Sequence, residues 1–207
     1  MVADAVSTKD VVRATAERLF ALEGITSVSA RRVAEVAGES NNSVVGYYFG
    51  GKRDLVLAVL QYHTDRTRAI GARMLAERAP VDLRGHVELM IRPLVEHLAA
   101  EPAPTHYARF LLAMASDPQW RAELYAEANG APGVEEFGRA LLEGLIPAVD
   151  AHVLRHRRRL VGATVTSACA EFEGRLERGV AAGDWGRCGT FLVDAVAGML
   201  SAPSALN

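Results

Sequence analysis

Between Gly38 and Lys52 the chain runs Gly-Glu-Ser-Asn-Asn-Ser-Val-Val-Gly-Tyr-Tyr-Phe-Gly-Gly-Lys, a short stretch crowded with side chains that grip nucleic acid. Asn41 and Asn42 each carry an amide able to pair with an adenine edge in the major groove. Ser40, Ser43, Tyr47, Tyr48 and Lys52 are donors for phosphate oxygens. Base-edge readers beside phosphate donors point to DNA recognition. In an arbitrary sequence an Asn-Asn pair is more often turn chemistry and Tyr-Tyr-Phe is usually core, so the flanking elements decide the matter.

Those elements have the pattern of a helix-turn-helix. Ser7-x-x-Asp10 is a capping box, Val12, Ala16, Leu19 and Phe20 follow at helical spacing, and Gly24 suits a helix C-terminus, which predicts a helix from Thr8 to Glu23. Ser29 caps a second helix to Ala37, with Val33 and Ala34 inward and Gly38 closing it. A third helix is expected from Glu39 and Ser40 to near Phe49. In such a unit the last helix enters the major groove.

Three segments carry a family likeness: Leu19-Phe-Ala-Leu-Glu-Gly24, Arg32-Val-Ala-Glu-Val-Ala-Gly38, and Tyr47-Tyr-Phe-Gly-Gly-Lys52 followed by Asp54-Leu55. On these, residues 8 to 60 resemble the DNA-binding domain of the TetR family of bacterial one-component repressors. The resemblance implies phosphate and base contacts from Ser29 and Arg31, a reader in the third helix, and a phosphate clamp at Lys52, where a helix N-terminus also attracts an anion. The stretch from Gly38 to Phe49 is one residue longer than the commonest family pattern, and Gly46 stands where an aromatic is usual; Tyr47 is expected to take over that contact.

Composition leaves this local. The 207 residues are half apolar, enough for a substantial core, and the net charge is only -2. Residues 1–53 carry seven basic and six acidic side chains, so bulk charge alone would not announce a DNA binder. The division expected is a DNA-binding domain at 1–53 and a helical effector-binding and dimerisation domain at 54–207. Met1-Val-Ala-Asp-Ala-Val lacks the basic and apolar parts of a signal peptide, and no apolar run reaches the roughly 18 residues of a membrane span, so a cytoplasmic protein without membrane contact is expected. Cys169 and Cys188 lack metal-binding spacing and are expected as buried thiols.

Beyond residue 54 only helical patterns follow, so the fold expected is all-α. Helices are expected over 54–79, 81–100 with a kink at Pro93, 105–116, 118–129, 134–146, one from Pro147 to about Gly179, and 187–201, with Gly130 to Gly133 as a loop. In the two last helices Val161, Val165, Ala168 and Phe172, then Leu192, Val196 and Met199, form apolar stripes expected to build a homodimeric four-helix bundle. Met90, Tyr107, Phe110, Leu111, Met114 and Trp120 are candidate walls of an effector cavity, with His86 and Arg109 as polar anchors, suiting a small, largely hydrophobic molecule. No phosphate-cradling glycine loop, nucleophile elbow or zinc spacing is present, and His152 and His156 sit among Arg155, Arg157, Arg158 and Arg159, where clustered cations oppose metal binding. No catalysis, cofactor or metal is therefore expected. The expected function is an operator-binding homodimeric regulator, a repressor released by an effector. A DNA binder without an effector, and a carrier or helical enzyme with a vestigial reader, are the alternatives. Operator binding by the pure protein, and its loss with ligand, separate the three.

Overall fold

The computed structural model describes residues 7–41, 43–142, 144–146, 150–180 and 184–203. Its elements are all helical: α1 Thr8–Glu23, α2 Ala30–Val36, α3 Val44–Phe49, α4 Lys52–Glu77, α5 Leu83–Ala100, α6 Tyr107–Ser116, α7 Pro118–Asn129, α8 Pro132–Leu142, α9 Ala151–Glu177 and α10 Trp185–Ser201. An N-terminal helix-turn-helix unit, α1 to α3, is followed by a larger helical region. No helix among the described residues is long and apolar enough to cross a membrane.

Local chemistry sets most helix starts. Ser7 Oγ accepts from the Asp10 amide, which caps α1, and its hydroxyl donates to the Asp10 carboxylate in place of the backbone bond of a full capping box. Ser29, Asp82, Asp117, Asp150 and Asp184 cap α2, α5, α7, α9 and α10 in the same way. Several boundaries differ from expectation, among them the end of α8 at Leu142 instead of 146 and the start of α9 at Ala151 instead of Pro147, and two of the helix starts have a cause in nearby contacts. The third helix begins at Val44 instead of Glu39, because Asn41 Oδ1 accepts from the Ser43 amide at 2.9 Å and holds the preceding residues in a turn. Helix α8 begins at Pro132, inside the stretch expected as a loop. Gly133 sits so close to α5 that a Cβ there would lie 2.3 Å from the Leu89 carbonyl oxygen, and only glycine permits that approach.

One apolar core joins the two regions. Val12, Ala16, Leu19 and Phe20 of α1 are fully buried with Val33, Ala34, Val44 and Val45 beneath the helix-turn-helix. The same core continues through Phe110 of α6, whose ring lies 6.3 Å from that of Phe20, to Leu192 and Val196 of α10. Helix α5 runs through Pro93 as a single element, and the proline ring is buried beside Gly71 of α4.

Candidate nucleic-acid interface and effector cavity

The outer surface of the helix-turn-helix is shaped by which face α3 buries. Val44 and Val45 point into the core, which leaves Ser43, Gly46, Tyr47 and Tyr48 outside. Tyr47 is 81% exposed and meets Tyr48 edge-on at 4.9 Å between ring centres. A large aromatic held out in water has no packing reason to be there. Ser29, Arg31, Ser40 and Asn41 are exposed as well. Ser29 also caps α2, and Arg31 pairs with Glu35 at 2.9 Å in an exposed ion pair that a phosphate could replace. Asn41 spends its side-chain oxygen on the Ser43 turn, and Asn42 lies outside the described residues.

Lys52 begins α4 but does not stand free. Its Nζ donates to the Thr26 carbonyl oxygen at 3.2 Å, and burial draws its pKa below the usual value while Asp117 opposes the shift. Thr26 Oγ1 in turn donates to Asp117, the cap of α7, at 2.7 Å, and Arg53 pairs with Glu123 of α7 at 2.6 Å. Helix α7 is therefore bonded to the turn after α1 and to the start of α4.

A second tie crosses the molecule deeper in. Glu17 of α1, His63 of α4 and His97 of α5 form a chain: His63 Nε2 lies 2.8 Å from the Glu17 carboxylate, and His63 Nδ1 lies 2.6 Å from His97 Nε2. Glu101 is 3.7 Å from the far nitrogen of His97. Both imidazoles are buried, and Tyr107 stacks on His63 with 3.9 Å between ring centres. A 2.6 Å spacing is that of a shared hydrogen bond; two nitrogens around one zinc ion stand about 3.3 Å apart. Sequence reasoning missed this chain, because its members are far apart along the chain; the available signal was a histidine at position 63 on the apolar stripe of α4.

The effector-wall residues expected from sequence are not brought together as a cavity. Tyr107, Phe110, Leu111, Met114 and Trp120 are buried core side chains, and His86 lies near Phe137. Arg109 is committed to Glu173 at 3.0 Å and Glu177 at 2.6 Å. Only Met90 of that set lines the cavity of about 700 Å³ found between α5, α7, α8 and α9. Its apolar lining includes Met90, Ile91, Phe137, Val161 and Val165, and Arg121, Arg155, Arg158 and Arg159 stand around it. Arg155, Arg158 and Arg159 of the basic run at the start of α9 thus border a cavity.

The expected dimer stripes are also reassigned by packing. Val161 and Val165 face the cavity, Phe172 packs edge-on against Trp185 at 4.8 Å, and Leu192 and Val196 are completely buried within the protomer. Ala168 and Met199 are half-buried. Exposed on the same two helices are Leu160, Ala163 and Ser167 of α9 and Phe191, Ala195 and Gly198 of α10. Phe191 is 68% exposed. Helix pairing inside one chain had claimed the most apolar stripe first.

Comparisons with known proteins agree with this layout. Residues 12–59 match the family described as bacterial regulatory proteins, tetR family. A TetR family transcription regulator from Marinobacter aquaeolei is similar in structure, at 16% identity and a TM-score of 0.61, over 93% of this chain and 94% of that one. So is PfmR, a TetR family transcriptional regulator from Thermus thermophilus, at 17% identity and a TM-score of 0.56, over 97% of this chain and 99% of that one. A protein described as superantigen pfit shares the fold at 18% identity and a TM-score of 0.54, over 94% of this chain and 89% of that one. Likeness at such identity shows fold alone. No curated protein matches the chain.

Proposed function

We propose that this chain, whose residues 12–59 match the family described as bacterial regulatory proteins, tetR family, is a cytoplasmic repressor which binds a palindromic operator as a homodimer and is released by a small effector. The observation that carries the DNA contact is Tyr47, an 81% exposed aromatic on the outer face of α3. In this reading residues 1–53 form the reader, with Ser29, Arg31, Ser40, Asn41, Asn42, Ser43, Tyr47, Tyr48 and Lys52 as its contact set. Residues 54–207 hold the effector and the dimer face.

The test uses an operator selected from randomised DNA by the protein itself. Tyr47→Ala, which removes a phosphate donor, is expected to weaken operator and random DNA alike by about 1–3 kcal/mol, as loss of a hydrogen bond to a charged group does. Lys52→Ala is expected to weaken operator and random DNA alike and to lower the log-log salt slope by about one unit, since one cation leaves the DNA face. Full-strength binding by Tyr47→Ala, read by fluorescence anisotropy, would remove α3 from the interface.

Two readers on a two-fold axis require half-sites about one helical turn, 10–10.5 base pairs, apart or a multiple of it. The exposed side chains of Leu160 and Phe191 support the pairing, because large apolar groups left in water on α9 and α10 suit burial in a two-fold bundle. Phe191→Glu is expected to raise the dimer dissociation constant at least 100-fold, about 2.8 kcal/mol, and to leave helix content unchanged. Light scattering that still finds a full dimer would place the interface elsewhere.

Release follows from the bonds of α7. Arg121 and Tyr125 line the cavity, while Asp117 and Glu123 of the same helix hold Thr26 and Arg53. An effector that seats α7 differently would re-aim the reader. It can do so only by its differential affinity for the two arrangements, and bound DNA must weaken the effector by the same factor.

A further inference from the structure

We propose that the cavity between α5, α7, α8 and α9 takes an amphipathic anion, a carboxylate or phosphate head on an aliphatic body; this rests on the effector-responsive reading above and gives its ligand a chemical class. The argument starts from the arginines. Elsewhere Arg68, Arg109 and Arg139 are tied to Glu127, Glu173 and Glu136. Arg121, Arg155, Arg158 and Arg159 line the cavity, and among the described residues none of the four has a salt bridge. Arg155 lies three and four residues before Arg158 and Arg159, so all three crowd one side of α9. Arg157 is turned elsewhere, to the Leu200 and Pro203 carbonyl oxygens.

Like charges gathered on one helix face repel, and with no acidic partner built in they suit an anion brought from outside. The guanidinium fork matches carboxylate and phosphate oxygens in a bidentate way, which a neutral head cannot exploit. Beside that rim the lining is aliphatic and aromatic: Met90, Ile91, Phe137, Val161 and Val165. The volume of about 700 Å³ falls within the range of small-molecule sites. A purely apolar ligand would leave the arginines unanswered, and a free inorganic anion would leave the apolar lining wet. Each half of the cavity asks for one half of an amphiphile. The ligand would also join α9 to Arg121 of α7, the helix that is bonded to the turn after α1 and the start of α4.

The test is calorimetric titration of the full chain with decanoate, decyl phosphate and decanol, each below its aggregation concentration, alongside operator binding by anisotropy. At least one of the two anions is expected to bind ten-fold or more tightly than decanol. The Arg158→Ala, Arg159→Ala double variant is expected to lose at least ten-fold for the anion and to leave decanol binding within two-fold. Both arginines are exposed, so the fold should survive, and an unchanged circular dichroism melt confirms it. Equal binding of anion and alcohol, no loss in the double variant, or no binding of either anion would overturn the proposal. Anion binding as described with operator affinity unchanged at saturation would support the site and sink the release reading instead.

Discussion

Glu173→Ala should lower the free energy of unfolding by about 3–5 kcal/mol, the cost of breaking a buried ion pair from one side, and the melting temperature by on the order of 10 °C. The Glu173 carboxylate is buried, and it accepts from Thr105 Oγ1 at 2.6 Å, the Ala108 amide at 3.1 Å, and the Arg109 amide and Nε, both at 3.0 Å. It thus caps α6 from another helix and neutralises Arg109 at once. Alanine would strand the amides of the first turn of α6 and leave Arg109 with Glu177 and the Thr105 carbonyl oxygen. Glu173→Gln keeps an accepting oxygen but turns an amide toward donors, so only part of the loss should return. Thermal and urea melts at one fixed protein concentration measure this; a loss under about 1 kcal/mol for alanine would mean that α6 is anchored by other contacts.

Acid should unfold the protein earlier than its carboxylates alone require, because His97 is kept neutral in the fold. Burial, then the neighbouring His63, then Arg66 hold its pKa down to about 4 from 6.5, with Glu17 acting in the opposite sense. The unfolded chain therefore binds one more proton than the folded one between these values. Stability from this group is complete above pH 6.5 and is lost as pH falls toward 4, by about 3 kcal/mol at the bottom of the window. The groups that face the imidazole are Glu17 of α1, His63 and Arg66 of α4, Glu101 after α5 and Tyr107 of α6. His97→Gln should be less stable at neutral pH yet lose less between pH 6.5 and 4. Parallel stability-against-pH curves for the two proteins would show that His97 does not titrate there.

The contrast between helix starts and side-chain clusters explains what sequence reasoning reached. Helix α1 was legible to the residue, because its cap and apolar spacing lie within one segment. The start of α3 was not: Asn41 could read a base or close a turn, and the Ser43 amide 2.9 Å away chose the turn. Helix α8 was placed too late because glycine beside proline suggests a loop, whereas Gly133 is there to admit the Leu89 carbonyl.

The all-helical class and the helix-turn-helix order were legible in the order of residues, since these depend on hydrogen bonds and apolar periods that close within a few positions; the motifs of residues 12–59 carried the likeness to the tetR family. Packing settled which apolar stripe each helix spends inside its own protomer. It took Leu192 and Val196 from the expected interface and Arg109 from the expected ligand site, and it set Arg155, Arg158 and Arg159 of α9 at a cavity rim. Burial and charge pairing are properties of distance in space, and residues 68 or 34 positions apart, as in Arg109 with Glu177 or His63 with His97, meet only once the helices have packed.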